Sequence, residues 1–175
     1  MKTNKLKFCF IFIVLISVNI SILYAGERLQ FEKQKVSFEK LSDGWKILPT
    51  KGSELFYAKR GKPVAKVWVV ALKLKGDKTI TPEQSSLLYL KKMEKKFPWK
   101  NLKITETGWT EIDGEKAYWL VSQHEWKGKT PIKQKLYKVH IDGTGYLFKY
   151  LAKEEDHEKT IAEFDEWIKT VEFSE

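Results

Sequence analysis

The sequence predicts an α+β domain: an antiparallel sheet of six or seven strands with helices packed on its faces, an α/β/α sandwich. Three observations carry this. Residues 103–151 hold three dense runs of alternating side chains, joined at Asp113-Gly114 and Asp142-Gly143, dipeptides of the kind that close two-residue hairpins. Two other segments, one after Thr81 and one near Asp156, change to helical spacing. Several strand segments carry apolar residues in both phases of the alternation, so the sheet needs cover on both sides, one helix to each.

The chain opens with Lys2, Lys5 and Lys7, an unbroken apolar run from Phe8 to Ile16, and a small-residue exit at Tyr24-Ala25-Gly26. That is the pattern of a secretory signal peptide over residues 1–25, cut after Ala25, with 26–175 as a single domain. The rival reading is an uncleaved anchor, because Phe8 to Ala25 approaches the roughly 20 residues of a membrane helix. Ser17, Asn19 and Ser21 weaken that alternative. A domain of about 150 residues buries about two-thirds of its unfolded surface and supports a core without staples.

Within the domain, a polar lead-in from Glu27 to Lys35 precedes a short strand at Val36–Glu39, a break at Ser42-Asp43-Gly44, and resumed alternation at Trp45 and Ile47. Leu55–Ala58 leads through Arg60-Gly61-Lys62-Pro63 into a strand over Val64–Leu74. Trp68, Val70, Leu72 and Leu74 lie on one side of it, and Val67, Val69 and Ala71 on the other. Thr81-Pro82-Glu83-Gln84 is a capping box with proline at the first helical position, and Leu87, Leu90, Met93 and Phe97 follow as the apolar stripe. Lys91, Lys92, Lys95 and Lys96 read as its solvated side.

A two-residue turn at Asp113-Gly114 pairs Ile112 with Glu115, Thr110 with Ala117, Trp109 with Tyr118 and Gly108 with Trp119; the indole can lie over the bare glycine backbone. A turn centred near Lys129 sets His124 opposite a residue near Gln134, and His140 opposite one near Tyr118. Tyr146, Phe148 and Tyr150 close the meander. The last helix begins near Asp156 or Thr160, carries Ile161, Phe164, Ile168 and Val171 on one stripe with Trp167 beside it, and has a second possible capping box at Thr160 and Glu163.

These residues resemble the PsbP-like superfamily, which includes DcrB-like bacterial envelope proteins. The likeness lies in Val36-Ser37-Phe38 to Asp43-Gly44-Trp45, the mid-chain helix, the aromatic hairpins, and the ending Glu163-Phe164-Asp165-Glu166-Trp167-Ile168 to Val171-Glu172-Phe173. The resemblance spans nearly the whole domain and implies an antiparallel sheet between helices with a non-catalytic, accessory or binding role. It supplies no catalytic, metal or cofactor motif that transfers to these residues.

Composition narrows the function classes. Cys9 is the only cysteine and lies in the leader, so the mature chain forms neither a disulfide nor a thiolate metal site. Export without disulfides fits a bacterial envelope, periplasmic or secreted. The net charge of +9 falls to +6 on residues 26–175, carried by lysine, with arginine only at Arg28 and Arg60. An arginine-poor surface lacks the bidentate forks that recognise phosphate and guanine, so nucleic acid is not an expected partner. His124 and His140 lie several rungs apart, too far to share a metal, and His157 sits in the acidic start of a helix. Ser85, Ser86 and Ser122 lack a nucleophile elbow, and Gly143-Thr144-Gly145 is a hairpin turn with no helix after it, so no enzyme chemistry and no cofactor are expected.

The remaining signal is an excess of aromatic residues, among them Trp68, Trp99, Trp109, Tyr118, Trp119, Trp126, Tyr137, Tyr146, Phe148 and Tyr150. One reading makes them core and covered sheet face. The sharper one is an aromatic-lined groove at an end of the sheet, with Trp109, Tyr118, Trp126 and Tyr137 as lining and His124 as its polar group. The functional expectation is an exported, monomeric, non-catalytic accessory or binding protein acting through an envelope protein partner. The alternative is a carrier of a small apolar or lipid-like ligand, with membrane contact only if the leader is retained. A hydrolase is the distant third.

Overall fold

The structure, a computed structural model, describes residues 27–74 and 80–174; the expected signal segment lies outside them. Its frame is a seven-stranded antiparallel sheet in the order β3-β4-β5-β9-β8-β7-β6, formed by β3 (Trp45–Ile47), β4 (Glu54–Arg60), β5 (Ala65–Lys73), β6 (Trp99–Ile112), β7 (Glu115–Trp126), β8 (Thr130–Ile141) and β9 (Thr144–Lys153). A second sheet, β1-β2-β10, joins β1 (Arg28–Phe31) and β2 (Val36–Glu39) to β10 (Glu172–Phe173). Helices α1 (Pro82–Lys96) and α2 (Glu154–Ile168) pack on opposite faces of the large sheet. The predicted α+β sandwich is therefore present, with the added small sheet. The lead-in read as polar contains β1, an edge strand of four residues that gains its partner only from β2.

Topology explains the placement of α1. The chain leaves β5 in mid-sheet, crosses through α1 to the far edge at β6, and walks back through β7 and β8 until β9 pairs with β5. The cap of α1 forms as predicted: the Thr81 hydroxyl accepts from the Gln84 backbone, and the Gln84 side chain accepts from the Thr81 backbone. Its phase differs from the predicted stripe. Ser86 and Leu90 are buried with Tyr89 and Met93 beside them, whereas Leu87 is 42% exposed. Contact with the sheet selects this phase, and the flanking leucines are left outside.

The β6–β7 hairpin has the predicted register, including Gly108 opposite Trp119. A Cβ at Gly108 would come within 2.8 Å of the Trp119 ring, so glycine is required there by close approach. The β7–β8 register is two residues from the expected one: His124 faces Ile132, and Tyr118 faces Lys138. Its turn is tighter than predicted, with Lys127 and Gly128 in the left-handed region.

Helix α2 starts at Glu154, ahead of the predicted start, and Thr160 is not its cap. That hydroxyl donates to the Asp156 carbonyl and bonds the Tyr150 hydroxyl inside the core. Glu163 accepts from Arg60, Trp45 and Ser42, fastening the β3–β4 hairpin to the helix. Beneath α2 and the small sheet, Phe38, Phe56, Phe148, Tyr150, Phe164 and Trp167 form one closed aromatic core.

Candidate functional site

Strand alternation decides which predicted site residues can meet. Trp109 and Tyr118 share the α1 face and touch edge to face at 5.2 Å, close to the Asp113-Gly114 turn. His124 and Trp126 lie on the same face of β7, roughly 20 Å or more further along the strand at about 3.3 Å per residue. Tyr137 points the other way. It is buried beneath α2, where its hydroxyl donates to Asp165 at 3.0 Å. The five residues therefore do not line one groove. Tyr118 is core beneath α1, Tyr137 is core beneath α2, and Trp109 is an exposed ring under the Lys116 ammonium.

A groove does exist on the α1 face, with a volume of about 400 Å³, within the roughly 300–1,000 Å³ range of small-molecule sites. Of the five, only His124 and Trp126 belong to it. Its floor is built by alternate residues of neighbouring strands: Lys66 and Trp68 of β5, Lys149 and Leu151 of β9, Ile132 of β8 and His124 of β7. Register places Trp68 beside Lys149, Lys66 beside Leu151, and His124 beside Ile132. Its wall is the exit from α1, where Phe97 and Trp99 stack at 6.0 Å and Phe97 approaches Trp126 at 6.3 Å.

The groove lies past the end of α1: fifteen residues make about 22 Å of helix, which packs mainly on β6, β7 and β8, with Val70 of β5 against the cluster beneath it and Lys149 of β9 bonded to its Tyr89. The second face of β5, predicted to be covered, is therefore half-open: Trp68 is partly exposed and Leu72 is 45% exposed.

Its electrostatics are one-sided. Among the described residues Lys66, Lys149 and Lys153 line it and no carboxylate does. The Lys149 ammonium sits 4.2 Å from the Trp68 ring centre and donates to the Tyr89 hydroxyl at 3.0 Å. Burial pushes Lys149 down to about 8 against the opposing pull of Glu54. His124 is 3% exposed and stacks on Trp99 at 4.1 Å, and neither of its ring nitrogens has a hydrogen-bond partner among the described residues. Burial, and then the Lys149 charge, push His124 down to about 4, so the imidazole is neutral at physiological pH.

Sequence reasoning missed Trp68, Phe97, Trp99 and Lys149 as a group. Trp68 and Trp99 stood among the aromatic excess, but nothing local brings β5 beside β9. The usable signal was Lys149, a lysine in the same phase as Leu147 and Leu151 of a strand whose other phase carries Phe148 and Tyr150. Among the described histidines none bonds a hydroxyl: His140 meets the Ile80 carbonyl and His157 meets Glu158. No described helix is long and apolar enough to cross a membrane.

Fold and groove together define a class: an α+β sandwich of the PsbP-like fold with one half-covered sheet face. Solved structures bear out the fold. A cyanobacterial PsbP (CyanoP) from Synechocystis superimposes with a TM-score of 0.64 at 14% identity, covering 84% of this chain and 91% of that one. LpqN, involved in cell envelope biogenesis of Mycobacterium tuberculosis, gives 0.60 at 12% identity and 86% of each chain. The Ran-binding protein Mog1p of Saccharomyces cerevisiae gives 0.60 at 6% identity, covering 84% of this chain and 94% of that one. At such identities the likeness is one of fold. No family model matches the sequence, and no curated protein does.

Proposed function

We propose that the protein is an exported, non-catalytic binding protein of the bacterial cell envelope that carries a small apolar ligand in the groove between the end of α1 and strands β5, β9 and β8. The observation carrying this reading is the juxtaposition of Trp68, Phe97, Trp99 and Trp126 around a partly open cavity of about 400 Å³. Such rings hold ligands by area and shape at little entropic cost, and they need no reacting group. The leader-like start of the sequence and the envelope role printed for the similarly folded LpqN support the location.

The test uses the chain from Gly26 onward and a neutral apolar probe, 1-decanol, followed by intrinsic tryptophan fluorescence. Saturable quenching in the wild type, weakened at least about fivefold in Trp126→Ala, is the expected result. A fluorescence signal indifferent to the probe counts against the reading. Recovery of a mature N-terminus at Gly26 from envelope extracts checks the export half independently.

A further inference from the structure

We infer that the groove is built for an amphipathic carboxylate, its apolar tail lying on the rings of Trp68, Phe97 and Trp126 and its head group met by Lys149. This rests on the reading of the groove as a ligand site and names the chemistry it selects.

Two polar groups of the groove lack a full complement of partners, and they stand in different rows of the sheet: Lys149 lies between Trp68 and Leu136, His124 in the row of Ile132 and Lys153. The Lys149 ammonium lies against the Trp68 ring and donates to the Tyr89 hydroxyl, with Glu54 acting on it only through space. A cation removed from water is costly unless an anion offsets the loss. His124 is buried with both ring nitrogens unsatisfied among the described residues, and leaving such a donor unpaired costs roughly 1–3 kcal/mol. A neutral imidazole carries one N–H, so His124 offers the groove a separate hydrogen-bond donor beside Trp99, while Lys149 is the charged group available to a head group. Lys66 adds positive potential at the groove, and Lys153 at its edge is paired with Glu155 at 3.6 Å.

The same features select a carboxylate over a phosphate. Phosphate dianions are best held by guanidinium forks or by runs of backbone N–H groups. Both arginines are engaged elsewhere, Arg28 with Glu172 and Arg60 with Glu163. One partly buried ammonium beside the rings matches a single negative charge. Those rings, together with Ile132 and Leu151, accept a hydrocarbon tail.

The experiment compares decanoate with 1-decanol on the chain from Gly26, by calorimetric titration at pH 7 and low salt. Decanoate is expected to bind at least tenfold more tightly. Lys149→Met, which keeps the length and apolar bulk of the side chain, should bring the carboxylate down to the affinity of the alcohol, while Lys91→Met on the exposed side of α1 should keep the preference. Equal affinities in the wild type overturn the carboxylate inference and leave the groove reading standing. Failure of both probes to bind overturns both. A preference that survives Lys149→Met contradicts the role given to that lysine, and decyl phosphate binding more tightly than decanoate contradicts the choice of head group.

Discussion

The two faces of the large sheet are finished in different ways. On one, α2 and the β1-β2-β10 sheet close over Phe56, Val67, Val69, Phe148 and Tyr150, and most polar groups there are paired: Tyr137 with Asp165, Trp167 with the Glu39 carbonyl, Tyr150 with Thr160, His157 Nε2 being the exception among the described residues. On the other, α1 seals a smaller cluster of Trp99, Tyr118, Leu120, Leu136 and Leu147, and three polar groups are left wanting: His124 unsatisfied among the described residues, Lys138 buried, Lys149 partly buried against an indole. The first face is what a core looks like when stability is the only demand. The second gives up stability at particular residues, and a fold tolerates that where a ligand or partner recovers the loss.

The largest expected effect falls on the sealed face. Phe164 is fully buried against Tyr137, Tyr150 and Trp167, so Phe164→Ala should cost about 3–5 kcal/mol in urea unfolding. Trp126→Ala at the groove rim, where the ring is 39% exposed, should cost under about 2 kcal/mol. If the two cost the same, the contrast between the faces fails.

Lys138 sharpens the contrast with the opposite sign. It lies in the row Tyr118–Lys138–Leu147, is 4% exposed, and has no ion-pair partner among the described residues. Burial pushes it from the ordinary lysine value down to about 8. The unfolded chain therefore binds more protons than the folded one between about pH 8 and 10.5, so the stability tied to this residue is present above 10.5 and lost as pH falls through 8. Lys138→Met should accordingly be the more stable protein at pH 7, by on the order of 2–3 kcal/mol. The difference should shrink to nothing as pH is raised past the ordinary lysine range, a trend that paired thermal melts would follow.

A smaller loss is expected in the hairpin that positions the α1 face. Gly108→Ala would set a methyl 2.8 Å from the Trp119 indole, itself only partly buried, and should cost about 1–3 kcal/mol as that ring moves aside. Gly114→Ala at the nearby turn meets no neighbouring atom but forces alanine to a φ of +75°. If Gly108→Ala is silent, the indole is not held where the register puts it.

What was legible in the sequence follows the range of the forces involved. The β6–β7 register could be read because an Asp-Gly turn fixes it locally, and the α1 cap because four consecutive residues form it. The β7–β8 register slipped by two because Lys127 to Thr130 admits more than one turn length, and only the pairing of the full strands decides between them. The small sheet was missed because β10 returns from the end of the chain to pair β2, a contact with no local signature. The same limit governs the site. His124 and Trp126 were identified, but their partners Trp68 and Lys149 come from strands some eighty residues apart in sequence, joined only by the pairing of β5 with β9. Tyr137 was assigned to the groove because an aromatic residue on a strand looks alike in either phase until the covering helix is known. Its bond to Asp165 of α2 is what settles the face.

The central claim, that the half-covered face is the working face, is tested most directly by amide chemical-shift mapping of the ¹⁵N-labelled chain from Gly26 during a decanoate titration. The account predicts progressive shifts confined to the groove, at Lys66, Trp68, Trp126, Ile132, Lys149 and Leu151, with the indole N–H signals of Trp68 and Trp126 moving and that of Trp167 still. Shifts centred on α2 and the small sheet, or none at all at saturating decanoate, would contradict it.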